Sequence, residues 1–409
     1  MDLLPILFLL GAAQGGFLAF ALLNSRGGNR RANRYLACYM LVFSAALIDY
    51  VLDTSGLTAD YVWLRTLLWP KEFLYGVFIY LYCREMTEPG VPVSTAMRWV
   101  LWLPPFVHCC VSWPLLWLPG ESQYAVLLNQ EGLPPFLNVW RLVLGDIELM
   151  ITIAHLTVFL LLSLRRVRRH RRRVLDSFSY LERVSLDWLR NVLLGTLVVY
   201  GIWIAEEFFS EDLLSGREPL DTALALSMVV LIYGLGWMGL RQPLVLFRGM
   251  GEGADSVSKT TEALANAGDG TGESTRDELV AGQGKYARSA LSPELAEALM
   301  EELRTTMDRE APYLRPDLSL AELAATLSVS TNYLSQTINQ QSGQNFFDFV
   351  NSYRVAHTLP ALADSKVTIL EVAMEAGFNS KSAFYAAFRK HQGMTPGAYR
   401  KQLGTTAAV

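Results

Sequence analysis

Two short stretches near the C-terminal end place hydrogen-bonding side chains in rows that recur at helical spacing. Thr331, Asn332, Ser335, Gln336 and Asn339 form the first row, and Ser380, Lys381, Ser382, Tyr385, Arg389 and Lys390 the second. Each row lies off an apolar stripe, carried by Leu334 and Ile338 in one stretch and by Phe384 and Phe388 in the other. Hydroxyls and amides arranged this way suit base edges and phosphate oxygens, while lysine and arginine neutralise phosphate charge. A second set of chemically active residues is buried in apolar sequence far upstream: Glu72, Asp146, Glu148 and Glu206, with His155. Ionisable groups at membrane depth usually face a bundle interior or a wet cavity. These residues therefore suggest a pocket for a cationic or polyhydroxylated ligand, against the plainer reading of solvated interfacial carboxylates.

Catalytic and metal signatures are missing from the sequence. There is no His-Glu-x-x-His and no phosphate-binding glycine loop. Cys38, Cys83, Cys109 and Cys110 sit in apolar runs without metal-ligand spacing and read as packing residues. The expectation is a protein with no cofactor, no metal and no enzymatic activity.

The two polar rows need helices to hold them. Thr368 and Glu371 have the Thr-x-x-Glu spacing of a capping box, so a helix should start there and carry Ile369, Val372, Ala373 and Ala376 inward. Gly377 supplies the positive φ of a sharp exit, and Asn379 can cap the next helix. This is the pattern of a helix-turn-helix, whose second helix enters a major groove. Ser319 and Glu322 open an earlier copy, with Leu320, Leu323, Ala324 and Leu327, a Ser328-Val329-Ser330 turn and a second helix. Ser319/Thr368, Glu322/Glu371, Leu323/Val372 and Val329/Phe378 align at an offset of 49, and Leu334/Phe384, Ile338/Phe388 and Gly343/Gly393 at 50. Units are expected over about 319–340 and 368–391. A helix from Pro293 precedes them, with Leu295, Leu299 and Leu303 inward, and another follows from Thr395-Pro396.

On these residues, 286–402 resembles the DNA-binding domain of AraC-type (AraC/XylS) bacterial transcription regulators. The second unit has Ala373, Gly377, Phe378, Phe384, Phe388, Gly393, Thr395, Pro396, Tyr399 and Arg400 in the family's order. The first matches at Leu323, Ala324, Ser330, Tyr333, Leu334, Ser335 and Gly343. The resemblance implies double-stranded DNA as partner, with one helix of each unit in successive major-groove segments; RNA polymerase is a further candidate partner. Two departures stand out. The joining helix begins Arg354-Val355 but meets Pro360, which would bend it there, and Ala386 stands where many relatives have arginine.

The rest of the chain has another character. Over 409 residues the composition is 51% hydrophobic and 18% charged, and the apolar excess lies before residue 248. That excludes a single soluble core. Seven apolar runs approach the roughly 20 residues a bilayer span needs: Leu3 to Leu23, Tyr35 to Leu52, Leu64 to Cys83, Trp99 to Leu118, Val143 to Leu164, Val192 to Phe209 and Thr222 to Leu240. Arginines cluster in alternate connections, most densely from Arg165 to Arg173, which reads as a topology determinant and anionic-lipid contact. The alternation puts the N-terminus outside and the C-terminal domain in the cytoplasm. Asp2, with no basic n-region, argues against a cleaved signal peptide. Residues 249–285 are rich in Gly, Ala, Ser, Thr and Asp and read as a flexible linker.

The expectation is therefore an all-α protein: a seven-helix transmembrane bundle over 1–248, the linker, a soluble two-unit DNA-binding domain over 286–402, and a tail at 403–409. It would sit in the bacterial inner membrane, sense an unknown signal ligand in or across the bilayer and control transcription, with homodimerisation as a control point. The alternative is a membrane transporter or enzyme with an appended regulatory domain.

Overall fold

The computed structural model describes residues 3–25, 29–127, 130, 133–181, 186–213, 218–240, 293–364 and 366–406. Among them all regular structure is helical, and the one β-type feature is an isolated antiparallel bridge between Phe178 and Ser319. The chain divides into two units, Met1–His170 with Leu186–Leu244, and Arg171–Ser185 with Val245–Val409. The expected linker at 249–285 lies outside the described residues.

The first unit contains α1 (Leu3–Asn24), α2 (Arg30–Thr54), α3 (Val62–Leu68), α4 (Lys71–Thr87), α5 (Thr95–Ser112), α6 (Gly120–Leu127), α7 (Pro135–Leu142), most of α8 (Glu148–Ser177), α9 (Asp187–Leu213) and α10 (Glu218–Leu240). Local chemistry sets several ends. The Asn29 side chain accepts the N–H groups of Arg31 and Ala32 to start α2, and Ser94 accepts that of Met97 to start α5. Pro70 interrupts the run expected from Leu64 to Cys83, giving the short α3 and then α4. The run expected to end at Leu118 finishes its α-helix at Ser112 and continues as a 3₁₀ turn over Trp113–Trp117. A π-type turn at Val143–Ile147 precedes α8, which continues well past the expected end at Leu164 and carries the arginine run on regular helix.

By length and composition, five segments could cross a membrane: Pro5–Asn24, Arg30–Thr54, Thr95–Trp117, Glu148–Ser177 and Asp187–Phe208. Thr222–Leu235 is apolar but shorter, and α4 has 17 residues. Inside the unit α1 packs on α2, α2 on α4, α9 on α10 and α10 back on α1. Leu9, Leu10, Phe17, Phe20, Trp99, Phe106 and Val198 stay exposed. Outward apolar side chains of this density are uncommon on a water-soluble helical bundle.

The second unit contains α11 (Pro293–Glu310), a 3₁₀ turn (Pro312–Leu314), α12 (Leu320–Thr326), α13 (Thr331–Ser342), α14 (Phe346–Ala361), α15 (Ile369–Glu375), α16 (Lys381–Gln392) and α17 (Pro396–Thr406). It has two cores. Leu303, Met307, Leu323, Leu334, Ile338, Phe346 and Val350 build the first, and Val355, Leu362, Val372, Phe378, Phe384 and Phe388 the second. Helix α14 serves both, its first half in one core and its second half in the other. Pro360 lies in the last turn of α14, so the backbone donor it lacks is lost next to a helix end. One expectation needs correcting. Leu295 is 56% exposed, and α11 turns Ala296, Leu299, Met300, Leu303 and Met307 inward instead.

The joints within each helix pair differ. In the first, Ser328 takes the left-handed conformation, φ 54°; in the second, Gly377 takes it at φ 85°. A Cβ on Gly377 would lie 2.7 Å from the Tyr313 carbonyl oxygen and 2.6 Å from that of Leu314. Backbone cannot yield there, so Gly377→Ala should cost roughly 2 kcal/mol or more. Hydrogen exchange of α15 and α16 amides in the full chain checks this, with α12 and α13 less affected.

Candidate nucleic-acid interface

Each pair is pinned by a reciprocal cap. The Ser319 hydroxyl accepts the Glu322 N–H at 3.3 Å while Glu322 accepts the Ser319 N–H at 2.9 Å. Thr368 and Glu371 repeat this at 3.2 and 2.8 Å. Burial pushes the Glu322 carboxyl up, but hydrogen bonds from Ser319 and Arg315 outweigh it and hold the group below its ordinary value. The Thr368 N–H, with the Thr368 hydroxyl, does the same for Glu371. The second helices are capped by Ser330, which accepts the Tyr333 N–H, and by Ser380, which accepts that of Ala383. Both end at left-handed glycines, Gly343 and Gly393.

This corrects the role expected of Asn379. Ser380 caps α16, and the Asn379 amide instead donates to the Pro316 carbonyl at 2.9 Å. Ser380, expected on the groove face, is half-buried and occupied as a cap.

The remaining row residues separate by freedom. Thr331, Asn332, Gln336 and Asn339 on α13 are exposed, and Ser335 is half-buried. The Asn339 amide donates to the Ser335 carbonyl at 2.9 Å. On α16, Lys381, Ser382 and Arg389 are exposed and Tyr385 is half-buried, with the Lys381 ammonium 5.4 Å from the Tyr385 ring centre. Lys390 is exposed but pairs with Asp348 of α14 at 2.6 Å. The structure thus leaves an uncharged polar face on α13 and a basic one on α16. A short helix, a tight turn and a second helix with such a face make a helix-turn-helix DNA-binding domain.

Residues 323–402 match the family model described as a helix-turn-helix domain. The C-terminal part of the chain is a domain of the AraC/XylS type. It is 29% identical over 116 residues to the HTH-type transcriptional activator RhaR of Escherichia coli K12, covering 28% of this chain and 40% of that protein. It is 33% identical over 86 residues to the uncharacterized HTH-type transcriptional regulator YtdP of Bacillus subtilis, covering 21% of this chain and 11% of that protein. Among solved structures, the C-terminal domain of AraT, a response regulator from Geobacillus stearothermophilus, matches at 29% identity. That match covers 28% of this chain and 88% of that one, at a TM-score of 0.24. The chain therefore spans less than half the length of the curated relatives it resembles.

A second candidate site lies in the first unit, a cavity of about 500 Å³. Glu72, Glu148 and Glu206 line it, together with Asp49, Lys71 and Trp203. Glu148 is buried; one carboxylate oxygen meets His108 Nδ1 at 3.2 Å and the other has no hydrogen-bond partner. Thr152, one turn on, is buried with its hydroxyl unpartnered as well. His155 is set apart from the expected set: it is buried against the rings of Phe73 and Phe159 and does not line the cavity. The Asp146 side chain lies outside what the structure describes.

Sequence reasoning missed the bases in this site. Lys71 bridges Asp49 and Glu72 at 3.1 Å each, and Arg65 meets Asp49 at 2.6 Å and Asp53 at 3.1 Å. The signal was a cluster of charges, Arg65, Lys71 and Glu72, around Pro70 in a largely apolar run. Among the described residues no group of three or more His, Cys, Asp or Glu side chains is placed to hold a metal ion.

The caps give a pH prediction. Since the folded carboxyls of Glu322 and Glu371 lie below their unfolded values, their stabilisation is fully present at neutral pH and disappears as pH falls through the lowered folded values. Thr368→Ala should reduce α15 amide protection by about 1 kcal/mol at neutral pH. The gap between wild type and Glu371→Gln should close on acidification, which hydrogen exchange against pH measures directly.

Proposed function

We propose that this chain is a membrane-anchored, one-component transcription regulator: a helical bundle in the bacterial inner membrane that senses a signal and controls sequence-specific DNA binding by a cytoplasmic domain. The observation that carries the reading is the union, on one chain, of a helix-turn-helix match at 323–402 with segments long, apolar and outwardly greasy enough to lie in lipid. The domains are read as 1–248 for the seven-span sensor, 249–285 for the linker and 286–402 for two helix-turn-helix units. In such a unit the second helix enters the major groove. The uncharged face of α13 then reads base edges, and Lys381 and Arg389 of α16 anchor phosphates. Lys390 contributes once it exchanges Asp348 for phosphate.

Arg389→Ala should weaken binding to all DNA and lower the salt slope by about one. Gln336→Ala should instead relax preference at one position, at a cost of about 1–3 kcal/mol there. Titrations of the full chain against DNA recovered by genome-wide mapping test both, and wild-type binding by both variants rules the reading out.

The signal is read as a ligand of the bundle cavity. Acidic groups outnumber basic ones around it and Trp203 stacks with Tyr200, with ring centres 5.9 Å apart, which suits a cation or a polyhydroxylated molecule. Binding would bias the bundle between two arrangements and thereby the dimerisation or exposure of the DNA-binding domains and their approach to RNA polymerase. Two tethered domains have a high effective concentration for adjacent half-sites, so a homodimer is the functional form.

Neutralising Glu72, Glu148 and Glu206 one at a time should change reporter output in at least one case. Unchanged output in all three removes the cavity from the mechanism. Substrate uptake by vesicles holding residues 1–248 would favour the transporter alternative instead.

A further inference from the structure

Arg354, near the middle of α14, is a charged side chain with only 1% of its surface exposed. Burying a guanidinium is tolerable only where acceptors surround its rigid fork of donors. Three stretches of chain supply them. The residues before α12 give two carbonyls: Nε donates to Tyr313 at 2.7 Å and Nη2 to Arg315 at 2.7 Å. Helix α14 gives the Asn351 side-chain oxygen at 3.2 Å. The third stretch is Ser179, whose carbonyl accepts Nη1 at 2.8 Å and whose hydroxyl accepts Nη2 at 3.1 Å.

Ser179 lies 175 residues away in sequence, just past the end of α8, in the connection to α9. It belongs with Val245–Val409 in the second unit. It is itself 1% exposed and doubly tied to Leu318: its N–H donates to the Leu318 carbonyl at 3.2 Å and its hydroxyl to the same oxygen at 2.6 Å. Phe178 alongside forms the antiparallel bridge with Ser319, the residue that caps α12. The segment therefore pairs with the residues that lead into α12, through one isolated backbone bridge and the two Ser179–Leu318 hydrogen bonds.

Arg354 also links the approach to the first helix pair with the joint of the second. Its carbonyl partners immediately precede the first pair, and its guanidinium carbon lies 5.8 Å from the ring centre of Phe378 in the joint of the second. Gly377 and Asn379 of that joint pack on the same stretch, through the Tyr313 and Leu314 backbone and the Pro316 carbonyl. Whatever holds or releases Arg354 acts on the mutual placement of α13 and α16.

We propose that Phe178–Tyr180 is a docking segment through which the α8–α9 connection grips the DNA-binding domain at Arg354 and Leu318, so that the bundle's signal reaches the domain by this contact and not through residues 249–285. The proposal rests on the regulator reading above. Docking holds the two reading helices in one arrangement before DNA arrives. Undocking leaves that arrangement to be fixed at the expense of binding.

The test uses the full chain in native membranes. Phe178→Cys with Ser319→Cys should form a disulfide on mild oxidation that neither single variant forms, read after cleaving a protease site inserted in 249–285. Ser179→Pro, which removes the N–H that donates to Leu318, should weaken binding to genome-mapped DNA by roughly tenfold, and Ser179→Ala by about threefold. The oxidised cysteine pair should restore affinity in the Ser179→Ala background, which a folding defect would not allow. No disulfide, or wild-type affinity in both Ser179 variants, overturns the proposal. A wild-type chain that binds no DNA at all would instead remove the regulator reading beneath it.

Discussion

The second unit depends on one buried positive charge. The Arg354 guanidinium cannot lose its proton and cannot reach water, so the backbone around it must turn carbonyls inward at fixed places. That demand shapes the stretch from Ala311 to Ser319, which starts with a left-handed Ala311 and a one-turn 3₁₀ segment and shows its carbonyls to α14. The same stretch then receives the joint of the second helix pair so closely that only glycine fits. Two cores that share a single helix could hinge about it, and the shared arginine is what ties their edges together.

Much of this was legible in residues. The capping boxes at Ser319 and Thr368 are local chemistry, a side chain and a carboxylate three residues apart, so spacing alone found them and both formed. The apolar stripes of α13 and α16 were read correctly for the same reason. Failures came where tertiary partners decide. Leu295 looked inward by period, yet the neighbours of α11 select the adjacent face. Asn379 looked like a cap, yet a carbonyl 63 residues upstream takes its amide and Ser380 does the capping.

In the first unit the apolar content was plain, but helix boundaries were not. Pro70, Pro114 and the π-type turn before Glu148 break runs that composition alone counts as continuous. The polar interior was half legible. Carboxylates in apolar sequence stood out, and Glu72, Glu148 and Glu206 line one cavity, whose ligand role is part of the proposal. The bases beside them, Lys71 and Arg65, were hidden because both pair with Asp49 on a different helix, a relation that no sequence period shows. His155 shows the converse: a histidine at helical depth is held by two phenylalanine rings and belongs to the packing.

In the regulator reading proposed above, the two reading faces differ in charge, neutral on α13 and basic on α16, and that difference has a temporal meaning. Long-range attraction to a polyanion acts only on the basic face, so first encounters with a duplex begin there and are indifferent to sequence. The neutral face gains nothing until its hydrogen bonds find matching base edges at contact distance. A domain built this way searches with one hand and inspects with the other. On that reading it would slide along unmatched DNA while lightly held, and its dwell time at a matched site would be set by the half that contributes least to finding it.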